Sequence, residues 1–469
     1  MKNFIKKNWL YILFFLLIII KHLLTINIPI YIRDNNGADE YLMLSQAESL
    51  IKGNYLGTYD YLTLVKGIGF PLFLATAFKI GISYLSLYSI YYSVATLIAM
   101  IPLRKIVKSK FLLLLAFVII LFCPATFDNN VQLVYRNMLI IPQSIILVSS
   151  IMMMYFNVNK SNLKLTLWTI LTSLTWIFMW HTREDTIWSV PLLAVGFITL
   201  LICILINKEL FKKKIIKILI ILIPFISLFG SIQVISYINY KHYGVYTNNQ
   251  LNKTNYAKAV NLLMKIKPDQ DVEHVTITRN ALNKAFAVSP TFSELSYVIN
   301  SDYDNKNPLV LAQEDNGEIN EDLITWELIG AARIKGYYES AQKAEDFWGK
   351  VYDELSKAID DNKLETRAIL PSRSLKPYPN EEDSAKKLVS SIGELFVKAA
   401  KYDCSHTQLY KSEYYDEDLV RRYETITGAY SLRKDKPVLY LSIYAFAKNN
   451  NEQLVTSIED DNGNTIRQY

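Results

Sequence analysis

Between Trp9 and Tyr240 the chain returns repeatedly to runs of apolar residues about 20 long, the length that carries an α-helix across the hydrocarbon core of a bilayer. Only backbone that satisfies its own hydrogen bonds is stable there, so the runs are read as membrane helices. The first follows Lys2, Lys6 and Lys7 and extends to Ile30, too long for a signal-peptide core and without a small-x-small cleavage site. Lys21 and His22 fall in its outer part, where a long side chain is expected to snorkel towards the headgroups. Further spans are expected near 84–103, 111–127, 133–156, 165–181, 186–206 and 216–237, several of them short or interrupted by proline, for about seven crossings.

The connecting loops alternate in charge. Arg104, Lys105, Lys108 and Lys110 form one basic loop, Lys160 and Lys164 another, and Lys208, Lys212, Lys213, Lys214 and Lys217 a third. By the positive-inside rule these loops and the N-terminus belong in the cytoplasm. Loop 31–68, the stretch around Asp128 and the turn His181-Thr-Arg-Glu-Asp185 then lie outside, as does everything after about Tyr240. Gly69–Ile82 is apolar but too short to span and is expected to lie on, or dip into, the outer interface.

Composition changes near residue 240. Up to there the chain is rich in Leu, Ile, Phe and Tyr, whereas from Lys241 onward Asp, Glu, Lys and Asn recur as on a solvated surface. Two modules follow: a transmembrane module over 1–240, with juxtamembrane helices in its outer loop 31–83, and a soluble, mainly helical extracytoplasmic domain over 241–469. Most of the net charge of +6 sits in the short cytoplasmic loops, so it reports topology and not nucleic-acid binding. Cys123, Cys203 and Cys404 make neither a disulfide framework nor a CxxC metal site. High Lys, Ile and Asn with 16 Gly suggests an AT-rich bacterial source, hence a bacterial cytoplasmic membrane.

With this topology Asp34, Asp39, Glu40, Lys66, Arg136, His181, Arg183, Glu184 and Asp185 all collect at the outer mouth of the helices. Charge at membrane depth is costly unless it pairs or faces water, so such a cluster is a candidate site. Tyr41–Lys52 has helical spacing with Gly53 as its stop, and Asp39 and Glu40 fall in its first turn, where the helix dipole favours a carboxylate.

A first long span, an outer acidic pair opening a helix (Ala38-Asp-Glu-Tyr-Leu42), the run Lys66-Gly-x-Gly-Phe-Pro-Leu-Phe-Leu74 and the turn Arg183-Glu-Asp185 together resemble the GT-C superfamily of membrane glycosyltransferases. The resemblance is to bacterial relatives of protein mannosyltransferases and aminoarabinose transferases, over roughly residues 1–240. It implies sugar transfer from a polyprenyl-phosphate donor to a lipid, glycan or protein acceptor on the outer face, with the catalytic acid in the first outer loop. Such a transfer needs a carboxylate to take the acceptor proton and cations to hold the leaving phosphate. Asp39 is the expected base, and Glu40 or Asp34 the alternate acid or a metal ligand. Lys66, Arg136 and Arg183 are phosphate candidates, with Glu184, Asp185 and His181 in support; a divalent metal is left open.

In the second half Trp348, Val351, Tyr352, Leu355 and Ile359 form one helical stripe, read as core. Helices are also expected at Asn255–Met264, Arg279–Ala287, Glu321–Ala332 and Ser384–Lys401, with a proline-rich loop at Ala368–Pro379. No phosphate loop, Ser/His/Asp order or HExxH spacing occurs there, so the half is expected to cap the outer cavity or grip an acceptor. Pro437–Ala447 is too short for a further span, so the chain is expected to end outside, where many proteins of this resemblance continue with more helices. Two other classes fit a polytopic chain: a non-enzymatic envelope sensor or assembly factor, whose Asp39 and Glu40 would be dispensable, and a transporter or glycan flippase, whose charges would sit at the membrane midplane.

Overall fold

The computed structural model describes residues 2–33, 39–127, 129–272, 275–303, 317–319, 323–367, 386, 390, 417–431, 457–459 and 465–468. Asp34, Cys404, Ala368–Pro379, Pro437–Ala447 and nearly all of Ser384–Lys401 lie outside these residues. Seventeen helices are described: α1 (Lys2–Ile26), α2 (Asp39–Ile51), α3 (Gly69–Lys79), α4 (Tyr84–Ile106), α5 (Lys110–Leu121), α6 (Asn129–Gln132), α7 (Asn137–Asn157), α8 (Asn162–Thr182), α9 (Ser189–Ile206), α10 (Phe211–Tyr243), α11 (Asn255–Lys265), α12 (Arg279–Val288), α13 (Pro290–Ser293), α14 (Ser296–Tyr303), α15 (Leu323–Ile334), α16 (Ala341–Asp360) and α17 (Glu417–Thr427). The chain forms a unit over Met1–Leu432 and a second over Arg433–Tyr469, whose described part is an antiparallel pair, β1 (Ser457–Glu459) and β2 (Thr465–Gln468).

Among the described residues six helices are long and apolar enough to cross a membrane: Asn8–Ile26, Tyr84–Ile106, Asn137–Asn157, Asn162–Thr182, Thr186–Ile206 and Phe211–Tyr243. The chain is thus built as a polytopic membrane protein. The expected span 111–127 is a helix of only 12 residues, stopped ahead of Pro124, which opens a short 3-10 turn. At about 1.5 Å per residue it is about 18 Å long, short of a bilayer core. Even so, the chain leaves the C-terminal end of α4 at Ser109 and by Val131 accepts a hydrogen bond from Tyr84 at the N-terminal end of α4 (2.5 Å). Pro102, Pro142 and Pro224 lie within continuous helices rather than breaking them. Ser83 and Ser161 cap α4 and α8 by accepting the N–H three residues on, at 3.1 and 3.3 Å.

Lys21 departs from expectation. Leu10, Phe14, Lys21 and Thr25 share one stripe of α1, so helical phase turns Lys21 into the bundle, where it is fully buried. Its ammonium donates to the Thr126 hydroxyl at 2.5 Å and stands 3.3 Å from the Phe127 ring centroid.

α3 is a short helix with its apolar face buried against α2, α4 and α8. α10 runs for 33 residues, about 50 Å, and carries the chain from the membrane-spanning bundle into the second half. That half has its own core, in which Leu263, Leu282, Phe292, Leu328, Trp348, Val351 and Leu355 are buried, while Tyr352 and Ile359 pack at its margin. α17 does not join this core. Val420, Tyr423 and Ile426 pack with α2 and α3, and the segment after the helix pairs with the segment after α1 through Ile30 N–H to Tyr430 O (2.8 Å). The boundary expected at residue 240 therefore falls within one compact unit.

Candidate functional site

Four elements distant in sequence end at one place: the first turn of α2, the loop entering α3, the turn before α7 and the turn after α8. Lys66 Nζ lies 2.9 Å from Asp39 Oδ2 and 3.5 Å from Glu184 Oε1. Arg136 donates through both terminal nitrogens to Glu184, with Nη2 2.9 Å from Oε1, and its Nη2 stands 3.8 Å from Asp39 Oδ2. The Tyr135 hydroxyl donates to Asp39 Oδ2 at 3.0 Å. Burial pushes the Tyr135 hydroxyl up, so it stays a proton donor. Burial also works against the Arg136 charge, but its bonds to Glu184 outweigh it and the guanidinium is held charged.

Exposure divides the roles. The Arg136 and Lys66 side chains are 4% and 7% exposed, whereas Asp39 is 33% exposed. Two buried cations thus pair with two partly exposed carboxylates, Asp39 at 33% and Glu184 at 22%. Removing one partner of such a buried pair typically costs ~3–5 kcal/mol, because the other is left as an uncompensated charge.

The sequence explains why Lys66 reaches Glu184. A Cβ on Gly67 would stand 2.2 Å from the His181 carbonyl oxygen, and one on Gly69 2.7 Å from Thr182 Oγ1. The Lys-Gly-Ile-Gly run therefore lets loop backbone lie directly on the last turn of α8, one residue from the Glu184 turn. From the other side the segment after α10 holds the loop: Asn249 Nδ2 donates to Val65 O (3.0 Å), Gln250 N–H to Leu64 O (2.9 Å) and Gln250 Nε2 to Tyr61 O (2.8 Å). The second half also contributes Trp326 of α15, whose ring centroid lies 5.5 Å from Lys66 Nζ.

Four of the expected residues, Asp39, Lys66, Arg136 and Glu184, come together. Glu40, next to Asp39 but turned about 100° around α2, is buried on another side, with Arg33 Nη2 3.6 Å away. Arg183 clasps Asp185 and Asn137 rather than Glu184. His181 points inward, its Nε2 3.1 Å from Ser231 Oγ, beside a cavity of about 50 Å³ that it lines with Glu184, Asn249 and Lys253. Tyr135, Trp326, Asn249 and Gln250 were not anticipated. Tyr135 directly precedes a flagged arginine, which is a usable signal, whereas nothing local distinguishes Trp326 from a core aromatic.

Among the described residues the cluster offers a divalent ion only two carboxylates, Asp39 and Glu184, and Asp34 lies outside those residues. Ammonium and guanidinium groups occupy the space between the Asp39 and Glu184 carboxylates, and among the described residues no three His, Cys, Asp or Glu side chains converge. Comparison with protein-family models, with curated proteins and with solved structures gives no match for this chain.

Proposed function

We propose that this protein is a membrane glycosyltransferase of GT-C type that moves a sugar from a polyprenyl-phosphate donor to a lipid, glycan or protein acceptor on the outer face of the bacterial cytoplasmic membrane. In this reading α5 and the segment after it complete a seventh crossing, the N-terminus is cytoplasmic, and α2, α3 and residues after 243 are extracytoplasmic. The observation that carries it is a partly exposed carboxylate, Asp39, paired with the buried cation Lys66 and 3.8 Å from the buried Arg136 where four segments meet.

The chemistry follows from the pairing. An acceptor hydroxyl attacks the anomeric carbon while the bond from that carbon to the phosphate oxygen breaks. The acceptor proton passes to Asp39, and negative charge develops on the leaving phosphate. Lys66 is bonded to Asp39 at 2.9 Å, so the phosphate cation and the base stand side by side. Lys66 thus sets the leaving phosphate beside the carboxylate that takes the acceptor proton. Arg136 keeps a bidentate hold on Glu184 and so fixes the floor of the site. Trp326 offers an aromatic face beside Lys66 for the sugar ring.

The test is transfer of label from a panel of radiolabelled polyprenyl-phosphate sugars in membranes holding the protein, compared with Lys66→Met. The reading expects donor-dependent transfer and at least a hundredfold loss in the variant. No transfer from any of the donors, or undiminished transfer in the variant, would count against it.

A further inference from the structure

A recess of about 430 Å³ opens on the side of the membrane-spanning bundle, between α7, α9 and the last residue of α4, Ile106. We propose that it holds one acyl chain of an anionic phospholipid whose phosphate lies against Lys105, an inference independent of the transferase reading.

Helical phase builds the walls. Val148, Ile151, Met152 and Tyr155 recur at three- and four-residue spacing along one side of α7, and Val195 and Thr199 do so along α9. Gly196 forms the floor. A Cβ there would stand 2.9 Å from Ile151 Cγ2, so the two helices meet at that level and the larger side chains around it stand up as walls. The Thr199 hydroxyl is turned to its own helix, donating to Val195 O at 2.8 Å, and the surface offered is almost entirely hydrocarbon and aromatic ring. A polar ligand would gain no hydrogen bond there.

Dimensions decide which part of a lipid fits. Val148 to Phe156 is eight residues, about 12 Å along the axis. A hydrocarbon core is about 30 Å thick, so the recess has the depth of one leaflet. It lies towards the end of α7 away from Arg136, whereas a polyprenyl chain engaged at Asp39 would approach from the Arg136 end.

Apolar contact alone would not favour one lipid over its neighbours, because lipid tails are as apolar as the recess. Charge at the rim supplies the selectivity. Lys105 adjoins Ile106, its Nζ stands 5.7 Å from the Phe156 ring centroid, and it is exposed with no ion pair among the described residues. The loops at this end of the bundle add Arg104, Lys108, Lys110, Lys160 and Lys164, with no Asp or Glu in 101–127 or 137–180. Glu209, in the next loop, is clasped by Lys217 at 2.6 Å and leaves these cations unbalanced. Basic residues beside a groove between membrane helices attract anionic headgroups, and a zwitterionic lipid would bring a cation of its own to the same place.

The experiment is native mass spectrometry of the full chain in detergent, titrated separately with phosphatidylglycerol, phosphatidylcholine and a polyprenyl phosphate. Thr199→Trp, at an exposed position, fills the recess; Lys105→Gln removes the rim charge; Leu174→Trp alters a lipid-facing position on α8 as the control. Thermal unfolding without lipid, matched to wild type, checks each fold, and Lys105→Gln, an exposed change, carries the test alone if Thr199→Trp melts early. Phosphatidylglycerol should bind about tenfold more tightly than phosphatidylcholine, lose about fivefold with Lys105→Gln, lose more with Thr199→Trp and be unmoved by Leu174→Trp. Equal binding of the two phospholipids marks an ordinary annular layer and overturns the proposal. So does phosphatidylglycerol binding untouched by Lys105→Gln or by a folded Thr199→Trp, or its displacement by stoichiometric polyprenyl phosphate.

Discussion

Replacing Gly67 by alanine places a methyl group 2.2 Å from the His181 carbonyl oxygen and 2.8 Å from its carbon. Ordinary contact begins at about 3.4 Å, so the loop and the last turn of α8 must separate by about 1.2 Å. Neither side yields easily: the carbonyl is helix backbone, and the loop is bonded from behind by Asn249 and Gln250. Overpacking of this kind costs about 1–3 kcal/mol, and the upper end applies because both surfaces are main chain. The same displacement falls one residue from Lys66 and so disturbs its 2.9 Å pair with Asp39. Gly230 is the internal control, since a Cβ there meets nothing within 4 Å inside α10 and Gly→Ala in a helix gains about 0.5–1 kcal/mol. Thermal unfolding in one detergent, followed by intrinsic fluorescence, should show Gly67→Ala melting lower and Gly230→Ala at or above wild type. Gly67→Ala melting with the wild type, or both variants shifting alike, would refute the close-approach reasoning.

Three more outcomes follow from the geometry. Burial, and then the neighbouring Asp302, raises Glu327 from its ordinary 4.5 to about 9, so its stabilising neutral form is fully present below about pH 4.5 and is lost as pH rises towards 9. Unfolding of the second half should become easier from pH 5 to 9 in the wild type, and Glu327→Gln should flatten that slope; an unchanged slope would remove Glu327 as its source. Arg136→Lys keeps the charge but loses the two-pronged hold on Glu184, and a drop in transfer of tenfold or more is expected, with near-normal turnover as the contrary result. With the three native cysteines replaced by serine, an impermeant maleimide applied to intact cells should label Asn252→Cys and spare Lys160→Cys; the reverse pattern would invert the topology.

Much of this fold is legible in the sequence because apolar run length is a local signal. The spans near 84–103, 133–156, 165–181, 186–206 and 216–237 all appear as helices, and α11, α12, α15 and α16 lie near where apolar spacing puts them. The shortness of α5 is also local, since Pro124 stands three residues beyond its last residue, Leu121. Of the site, loop alternation is enough to bring Asp39, Lys66, Arg136 and Glu184 to one end. It gives no helical phase, which is why Glu40 turns away from the cluster and Lys21 turns into the bundle instead of up to the headgroups. Partner choice within the 181–185 turn depends on where α7 starts, so the bond of Arg183 to Asn137 could not be anticipated. The return of α17 to α2 is a contact across 374 residues between Arg422 and Glu48, and no local pattern encodes it.

A base at Asp39 is what the proposed sugar transfer depends on. The most direct measurement compares transfer of a radiolabelled sugar from its polyprenyl-phosphate carrier by wild type, Asp39→Asn and Asp39→Glu at matched expression and matched melting temperature. Wild type should transfer the sugar, Asp39→Asn should lose at least a thousandfold and Asp39→Glu should keep part of the activity. Transfer by Asp39→Asn at the wild-type rate would contradict it.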